Sequence, residues 1–218
     1  MNDTGRLSTP PSRRSRKRLA TRQAISDAAT RLFAEHGFDK VTIDGIAEAA
    51  DVGRMTVFNH FRRKEDMFFD LDQEWQGDLL RALEEREAEV SPIEAFRRFA
   101  HWAVEQHRPY VMFSPASQRF HDALAASEPL KARLRAIRDE AADMLADTLA
   151  RDVGDKSPSA DAQLAAQLMA AVWGASVMQG HVAFRSSQDK SVAEAVFLDL
   201  TDKGAAGLTT AMAGTPYA

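Results

Sequence analysis

The chain has 218 residues, enough for one large domain or for a small domain joined to a larger one. It contains no cysteine, which excludes disulfides, thiol chemistry and cysteine-ligated metal or iron–sulfur sites. Its net charge of −4 conceals an asymmetry, since residues 1–64 carry 13 Lys and Arg against 7 Asp and Glu, whereas the remainder is acidic. A basic end on an acidic body indicates a polyanionic partner there, although a basic tail without a role explains the charge equally well.

The chain begins without the apolar core of a secretory signal. Its longest apolar stretch covers residues 168–178, well short of the roughly 20 residues that a membrane-spanning helix needs. That stretch is therefore expected to be a buried core or interface helix. We expect a cytoplasmic protein with no membrane partner.

The first segment, residues 1–15, is polar, contains the pair Pro10-Pro11 and shows no periodicity, so it is predicted to be a disordered arm. Almost everything beyond it has helical periodicity, and no segment alternates with a period of two. The sequence therefore predicts an all-α protein. A basic run overlaps the end of the arm: Arg13, Arg14, Arg16, Lys17 and Arg18.

Three helices are predicted next. The first covers about residues 18–36 and ends at Gly37, a residue favoured after a helix C-terminus. Thr42 is a suitable N-cap for the second, because its hydroxyl can accept a hydrogen bond from the first helical turn. The third is short, about residues 54–60, and follows a break at residues 51–53. Two short helices joined by a tight turn behind a basic arm are typical of a helix-turn-helix.

The rest of the chain is predicted to hold longer helices. Ser91, Pro92 and Glu94 form a helix start, with Ser91 as N-cap and Glu94 completing a capping box. The predicted helices cover about residues 64–89, 92–106, 117–126, 129–151, 161–184 and 192–212.

The residues of the helix-turn-helix segment also carry a family resemblance. Gly37-Phe-Asp-Lys-Val-Thr-Ile-Asp-Gly-Ile-Ala47, Val52-Gly-Arg-Met-Thr-Val-Phe-Asn-His-Phe61 and Lys64-Glu-Asp-Met67 resemble the DNA-binding domain of the tetracycline-repressor-like (TetR) family. The resemblance covers about residues 18–67. It implies a helix-turn-helix DNA-binding domain at residues 16–63 and a helical effector-binding and dimerisation domain at residues 64–218.

The third helix can be interpreted from its own residues. Its exposed face is expected to carry Arg54, Met55 and Asn59, as a recognition helix requires. Arg54 can pair with guanine O6 and N7, Met55 can contact a thymine methyl, and Asn59 can contact a base edge or a phosphate. Arg54 can also be a solvated charge without a role. The apolar side chains of this segment that can face inward are Val52, Val57 and Phe61, against Ile46 and Leu32.

By resemblance, Thr42, Thr56, His60 and Lys64 occupy positions that typically hold the DNA backbone. A lone histidine on a helix is more often structural, but in this setting a phosphate contact is favoured for His60. The basic run is also expected to contact DNA. The chain departs from the family at Gly53, where serine is usual, and at Phe58, where tyrosine is usual. A side-chain cap and a phosphate hydrogen bond are therefore lost.

The resemblance implies a ligand pocket in the C-terminal domain and a homodimer through the last two long helices. Small residues in these helices, such as Gly174 and Ala206, favour close packing. Aromatic, methionine and histidine residues are candidate pocket residues, although most of them can equally be ordinary core. They are Phe96, Phe99, Trp102, His107, Phe113, Phe120, His121, Met169 and Trp173.

Together these features predict a transcriptional regulator, and more specifically a repressor that a small, mostly apolar ligand releases from a near-palindromic duplex operator. No cofactor, metal site or catalytic constellation is expected, since no phosphate-binding loop, nucleophile motif or metal-ligand spacing is present. Two alternatives remain open: an all-α enzyme, and an architectural DNA-binding protein without an effector. A well-formed pocket would count against the second.

Overall fold

A computed structural model describes residues 12–70 and 74–218, and within those ranges all regular structure is helical. This confirms the all-α prediction. The chain divides into two compact units, Met1–Asp70 and Leu71–Ala218. The first therefore extends beyond the helix-turn-helix segment to Asp70. In the described ranges, no helix combines the length and the apolar character needed to cross a membrane.

In the N-terminal unit, the described residues 12–70 form four α-helices. They are α1 (Arg13–His36), α2 (Ile43–Ala49), α3 (Arg54–His60) and α4 (Lys64–Phe68), with a 3₁₀ turn at Phe38–Lys40. Helix α1 packs against α2 and α4, and α2 packs against α3. The bounds of α3 are those predicted, and Thr42 caps α2 by accepting a hydrogen bond from the Gly45 amide at 3.1 Å.

The start of α1 differs from the sequence prediction. The helix begins at Arg13, because the Ser12 hydroxyl accepts a hydrogen bond from the Ser15 amide at 3.2 Å and caps the first turn. Residues 13–15 are therefore helical, and their assignment to a disordered arm was wrong. The rest of that arm, residues 1–11, lies outside the described residues. The basic run consequently occupies successive faces of one helix end.

The core of the N-terminal unit fixes the position of α3. Ile25 of α1, Ile46 of α2 and Val57 of α3 are all fully buried, and Phe61 directly after α3 is 2% exposed. This confirms the inward-facing positions predicted for Val57 and Phe61. Val52 is only half-buried. Because Val57 is buried while Arg54, Met55 and Asn59 of the same helix are exposed, the opposite face of α3 points away from the core.

In the C-terminal unit, the described residues 74–218 form six α-helices. Helix α9 packs against α10 and α8, α10 packs against α6, α5 packs against α6 and α8, and α7 packs against α8 and α9. Their bounds are α5 (Glu74–Glu84), α6 (Pro92–Glu105), α7 (Pro115–Ala126), α8 (Glu128–Asp152), α9 (Ala160–Ser187) and α10 (Lys190–Ala211).

The single long helix predicted for residues 64–89 is wrong. Helix α4 ends at Phe68, and α5 covers only Glu74–Glu84. Met67 and Phe69 are both 1% exposed. The Phe69 amide still donates to the Glu65 carbonyl oxygen at 3.2 Å, so both side chains are in helical register on nearly opposite sides of α4, and the chain leaves the helix directly after them. The apolar pattern alone did not reveal this change.

Ser91 caps α6 as predicted, but the reciprocal half of the capping box is missing. The Ser91 hydroxyl accepts from the Glu94 amide at 3.2 Å. The Glu94 carboxylate instead accepts from Arg97 Nε at 2.8 Å and from Arg98 Nε at 2.8 Å. Hydrogen bonding to Arg97 is the main cause that lowers the pKa of Glu94 to about 2.

Trp173 of α9 is the centre of the C-terminal core. Trp75 stacks on it with ring centroids 5.7 Å apart, Phe99 lies at 5.4 Å, and Phe197 meets it edge-on at 5.3 Å. Phe96 also contacts it, at 6.3 Å. These rings come from α5, α6, α9 and α10, so one side chain ties four helices together.

One face of α9 is apolar and exposed. It consists of Leu164, Ala171, Ala175, Met178 and Val182, which recur at intervals of three, four or seven residues and so share one side of the helix. The small residues of α9 and α10 divide into two groups. Ala175 and Ala206 are exposed, whereas a Cβ on Gly204 would lie 2.4 Å from Val172 of α9. Gly204 therefore serves packing within the unit.

Candidate DNA interface and ligand site

The outer face of α3 presents the residues predicted to read bases. Arg54, Met55 and Asn59 are exposed, and Met55 is 70% exposed although it is apolar. Thr56 is half-buried on the same helix. Gly53 precedes α3 and gives it no side-chain cap, in keeping with the departure noted in the sequence. A short helix with an exposed thioether and two exposed polar side chains is suited to contact with another molecule rather than with the core of the protein.

Sequence reasoning missed a partner of Arg54. Its Nη1 donates to both carboxylate oxygens of Asp44 on α2, at 3.0 and 2.8 Å, and its guanidinium carbon lies 5.6 Å from the centroid of the Phe58 ring. Asp44 is ten residues away in the chain and on another helix. No periodic pattern therefore joins the two residues.

A cleft of 380 Å³ lies between α1 and α3. It brings together two groups that the sequence predicted separately, the basic run and the end of α3. Its lining residues are Arg14, Lys17, Arg18, Thr21, Asn59 and His60. Burial, and then the nearby charges of Arg18 and Arg22, lower the pKa of His60. At neutral pH its imidazole is therefore a neutral hydrogen-bonding group.

Thr42 and Lys64 have structural roles in the N-terminal unit. The Thr42 hydroxyl caps α2, as described above. Lys64 Nζ donates to the backbone carbonyl oxygens of Phe38 at 2.9 Å and Val41 at 3.1 Å, and lies 4.2 Å from the centroid of the Phe38 ring. The ammonium group thus holds the turn between α1 and α2. It is half-buried rather than extended into solvent.

The basic run keeps its charges unpaired. In the part of the chain that the structure describes, no ion pair involves its side chains: Arg13, Arg14, Arg16, Lys17 and Arg18. All five residues are exposed. Five uncompensated cations make this helix end strongly positive, and three of them, Arg14, Lys17 and Arg18, line the cleft with α3.

The candidate pocket residues fall into three places. Phe96, Phe99, Met169 and Trp173 belong to the buried core of the C-terminal unit. Phe113, before α7, is also buried in that core and meets His181 of α9 at 4.9 Å, whereas Phe120 and His121 lie on α7, where His121 contacts His181. Trp102 is 39% exposed, and His107 is exposed with its Nδ1 3.4 Å from Lys190 Nζ. The structure therefore does not assemble all nine around one space.

A groove of 490 Å³ runs between α5 and α6. Phe99 and Trp102 form its aromatic side, and Val90, Ala82 and Ala95 add apolar surface. The remaining lining is charged: Asp78, Arg81, Glu85, Arg86, Glu87 and Arg98. This volume lies within the range of small-molecule sites, and its wall is more polar than the sequence led us to expect.

Two histidines meet at the α7–α9 contact. The ring centroids of His121 and His181 are 3.6 Å apart, and both Nδ1 atoms are buried without a hydrogen-bond partner among the described residues. Burial lowers the pKa of His121 to about 4, and burial together with the charge of the neighbouring His121 lowers that of His181 to about 3. Both imidazoles are therefore neutral at pH 7.

Comparison with known proteins identifies the N-terminal segment. Residues 25–71 match the family model for bacterial regulatory proteins of the tetR family. The chain is 44% identical over 55 residues to an HTH-type transcriptional repressor of Mycobacterium tuberculosis, Rv1474c, which covers 25% of this chain and 29% of that protein. It is 37% identical over 90 residues to the HTH-type transcriptional regulator TcmR of Streptomyces glaucescens, 40% of each chain. The chain thus spans well under half the length of these relatives.

Solved structures resemble the whole fold. GusR of Salmonella enterica has a TM-score of 0.52 and 21% identity, covering 95% of this chain and 99% of its own. FadR of Thermus thermophilus, in complex with lauroyl-CoA, has a TM-score of 0.51 and 22% identity, covering 86% and 92%. A complex of SmeT with triclosan has a TM-score of 0.54 and 21% identity, covering 86% and 91%. At these identities the likeness concerns the fold.

Replacing Lys64 tests its structural role. We expect Lys64→Met to lower the free energy of unfolding by about 1.5–3 kcal/mol, because two backbone carbonyl oxygens lose a charged donor. Thermal unfolding followed by circular dichroism measures the change. Lys17→Met, which alters an exposed lysine of α1, is the control and should leave the melting temperature nearly unchanged. Equal melting of both variants would contradict the assignment.

Proposed function

We propose that this chain, a member of the bacterial TetR family, is a sequence-specific transcriptional regulator that binds a near-palindromic DNA duplex. Regulators of this family are a non-enzymatic kind of protein, and we assign no catalytic residue. One observation carries the proposal: unpaired cations of α1 and the exposed end of α3 line the same cleft. The matched relatives align with this chain over only part of their length. Its binding to DNA is therefore inferred from its own residues.

The arrangement is suited to a duplex. Cations bind phosphates without regard to sequence, whereas side chains on an exposed helix can reach base edges in the major groove. We assign phosphate contacts to Arg14, Lys17 and Arg18, and base contacts to Arg54 and Met55. The neutral imidazole of His60 would then donate a hydrogen bond to a phosphate oxygen. Lys64, already bonded to the 3₁₀ turn, is the weakest of the proposed DNA contacts.

Two variants separate the two kinds of contact. A duplex site is first selected from a random-sequence library, and binding is then measured at several salt concentrations. We expect Arg54→Ala to lower affinity for the selected site by tenfold or more and to relax preference at one base pair, with little effect on an unrelated duplex. Lys17→Ala should weaken binding to both duplexes equally and reduce the salt slope by about one. Selection of no common sequence would refute the proposal.

We further propose a homodimer through α9 and α10. The exposed apolar face of α9 supports it, since five such side chains in line are unusual on a surface that stays in water. Val192 of α10 is another exposed apolar side chain. A two-fold symmetric dimer offers two copies of α3, and two such helices read related half-sites about 34 Å apart, so the selected site should be near-palindromic.

A charge in this face should separate the protomers. Ala175→Glu places a carboxylate in the middle of the exposed stripe, where burial without a partner costs several kcal/mol. Sedimentation velocity should show a dimer for the wild-type chain and a monomer for the variant. The matched control is Ala125→Glu on the exposed side of α7, which should remain dimeric. A dimeric Ala175→Glu chain would place the interface elsewhere.

We also propose that a small molecule regulates DNA binding from the groove between α5 and α6. Its volume and its aromatic side support this, and such a site counts against a purely architectural role. Solved relatives of the same fold include complexes with lauroyl-CoA and with triclosan. Since the matched relative of Mycobacterium tuberculosis is named a repressor, we infer that the ligand releases a repressor from its operator. The charged lining predicts a ligand with polar groups as well as an apolar body.

Trp102 provides the test of this site. A compound library is screened for release of the selected duplex and for a change in tryptophan fluorescence. We expect Trp102→Ala to weaken the hits by roughly two- to tenfold, because an aromatic contact contributes about 0.5–1.5 kcal/mol. Phe120→Ala on α7, outside the groove, is the control. If Phe120→Ala weakens the hits and Trp102→Ala does not, the ligand binds at the α7–α9 contact instead.

A further inference from the structure

The ion pair between Asp44 and Arg54 is poorly explained as a stabilising contact. Both side chains are largely exposed, Arg54 at 59% and Asp44 at 66%. Exposed pairs contribute little to stability, because water screens the attraction and two flexible side chains must be ordered. The pair nevertheless joins the first turn of α2 to the first residue of α3 at a well-formed distance of 2.8 Å. The position of the pair indicates a role in the binding contacts that α3 makes.

The geometry of the pair leaves one edge of the guanidinium available. Both hydrogen bonds to Asp44 come from Nη1. Within the described residues, Nε and Nη2 of Arg54 donate to no acceptor. Contact with guanine needs two roughly parallel N–H groups directed at O6 and N7, and the Nε–Nη2 edge supplies such a pair. Asp44 can therefore stay bound while Arg54 contacts a base.

The orientation of the guanidinium is also restricted from a second side, by the Phe58 ring. Its carbon lies 5.6 Å from the centroid of the Phe58 ring, one helical turn further along α3. A side chain held by a carboxylate and a ring loses less conformational entropy when it binds than a free one. The position held by Asp44 and Phe58 thus prepares Arg54 for one orientation.

The negative charge of Asp44 weakens the attraction between this surface and the DNA backbone. A carboxylate exposed beside α3 repels phosphates on any sequence. It also partly neutralises Arg54, which reduces the attraction of this arginine for phosphates in general. The energetic gain of an aligned guanine contact remains. One residue therefore weakens non-specific binding and favours binding at a single base pair.

We propose that Asp44 is a specificity-determining residue, which orients Arg54 for guanine through Nη1 and disfavours binding to other sequences by its charge. This inference rests on the proposed DNA-binding function. It assigns a role in DNA selection to a residue of α2 rather than of α3. Asp44 positions the contact and itself touches no base.

The test compares Asp44→Asn with Glu48→Gln. Glu48 is an exposed carboxylate on the same helix, and no hydrogen bond or ion pair of its side chain occurs in the described part of the chain. Dissociation constants are measured for the selected duplex, for a duplex with the contacted guanine replaced, and for an unrelated duplex. Both variants should tighten binding to the unrelated duplex. Only Asp44→Asn should lower the ratio between the first two duplexes, by about tenfold.

A double variant shows whether Asp44 acts through Arg54. In the background Arg54→Ala, the further change Asp44→Asn should leave the ratio between the two duplexes unchanged. An unchanged ratio in Asp44→Asn alone, with a wild-type chain that selects a sequence, overturns the inference and leaves the proposed function standing. A wild-type chain that selects no sequence refutes the proposed function and the inference together. Circular dichroism of each variant confirms that the fold is kept.

Discussion

One arginine holds the end of α3 to the rest of the N-terminal unit. Arg22 of α1 donates from Nη1 to the backbone carbonyl oxygen of His60 at 2.7 Å, pairs through Nη2 with Asp70, and lies 4.1 Å from the centroid of the Phe61 ring. Helix α3 has only seven residues, and helices this short are not stable alone because nucleation is unfavourable. The orientation of its exposed face therefore depends on this anchor and on the buried Val57.

The cations of the protein divide into those bound within the fold and those available to a partner. Arg22 and Lys64 are bound to backbone oxygens of the N-terminal unit, and Arg86 of the C-terminal unit donates to two backbone carbonyl oxygens and to Asp152. The basic residues at the start of α1 have no such partners in the described part of the chain. Overall net charge is a poor guide to function here, because the acidic C-terminal unit cancels it. The unpaired cations are the part of the charge that can act on another molecule.

The sequence predicted regular features well and pairwise contacts poorly. The bounds of α3, the cap at Thr42 and the cap at Ser91 follow from local residue types, and the structure contains them. The break after Phe68 was missed because the spacing of apolar residues does not by itself show where a helix ends. The pair of Asp44 with Arg54 was missed because it joins two helices whose relative position comes only from the fold. Proposed site residues on one helix are therefore easier to find than their positioning partners.

Aromatic residues of the C-terminal unit show why core and binding site could not be separated by residue type. Trp173 and Phe96 resemble pocket residues in sequence, yet they are buried against each other. Phe99 belongs to both environments, since it lines the groove and also packs on Trp173 of α9. A ligand that shifts Phe99 would therefore act on the helix that carries the exposed apolar face. Such a ligand can change the protein only if it binds one conformation more tightly than another, and the contact of Phe99 with Trp173 is where that difference in affinity can arise.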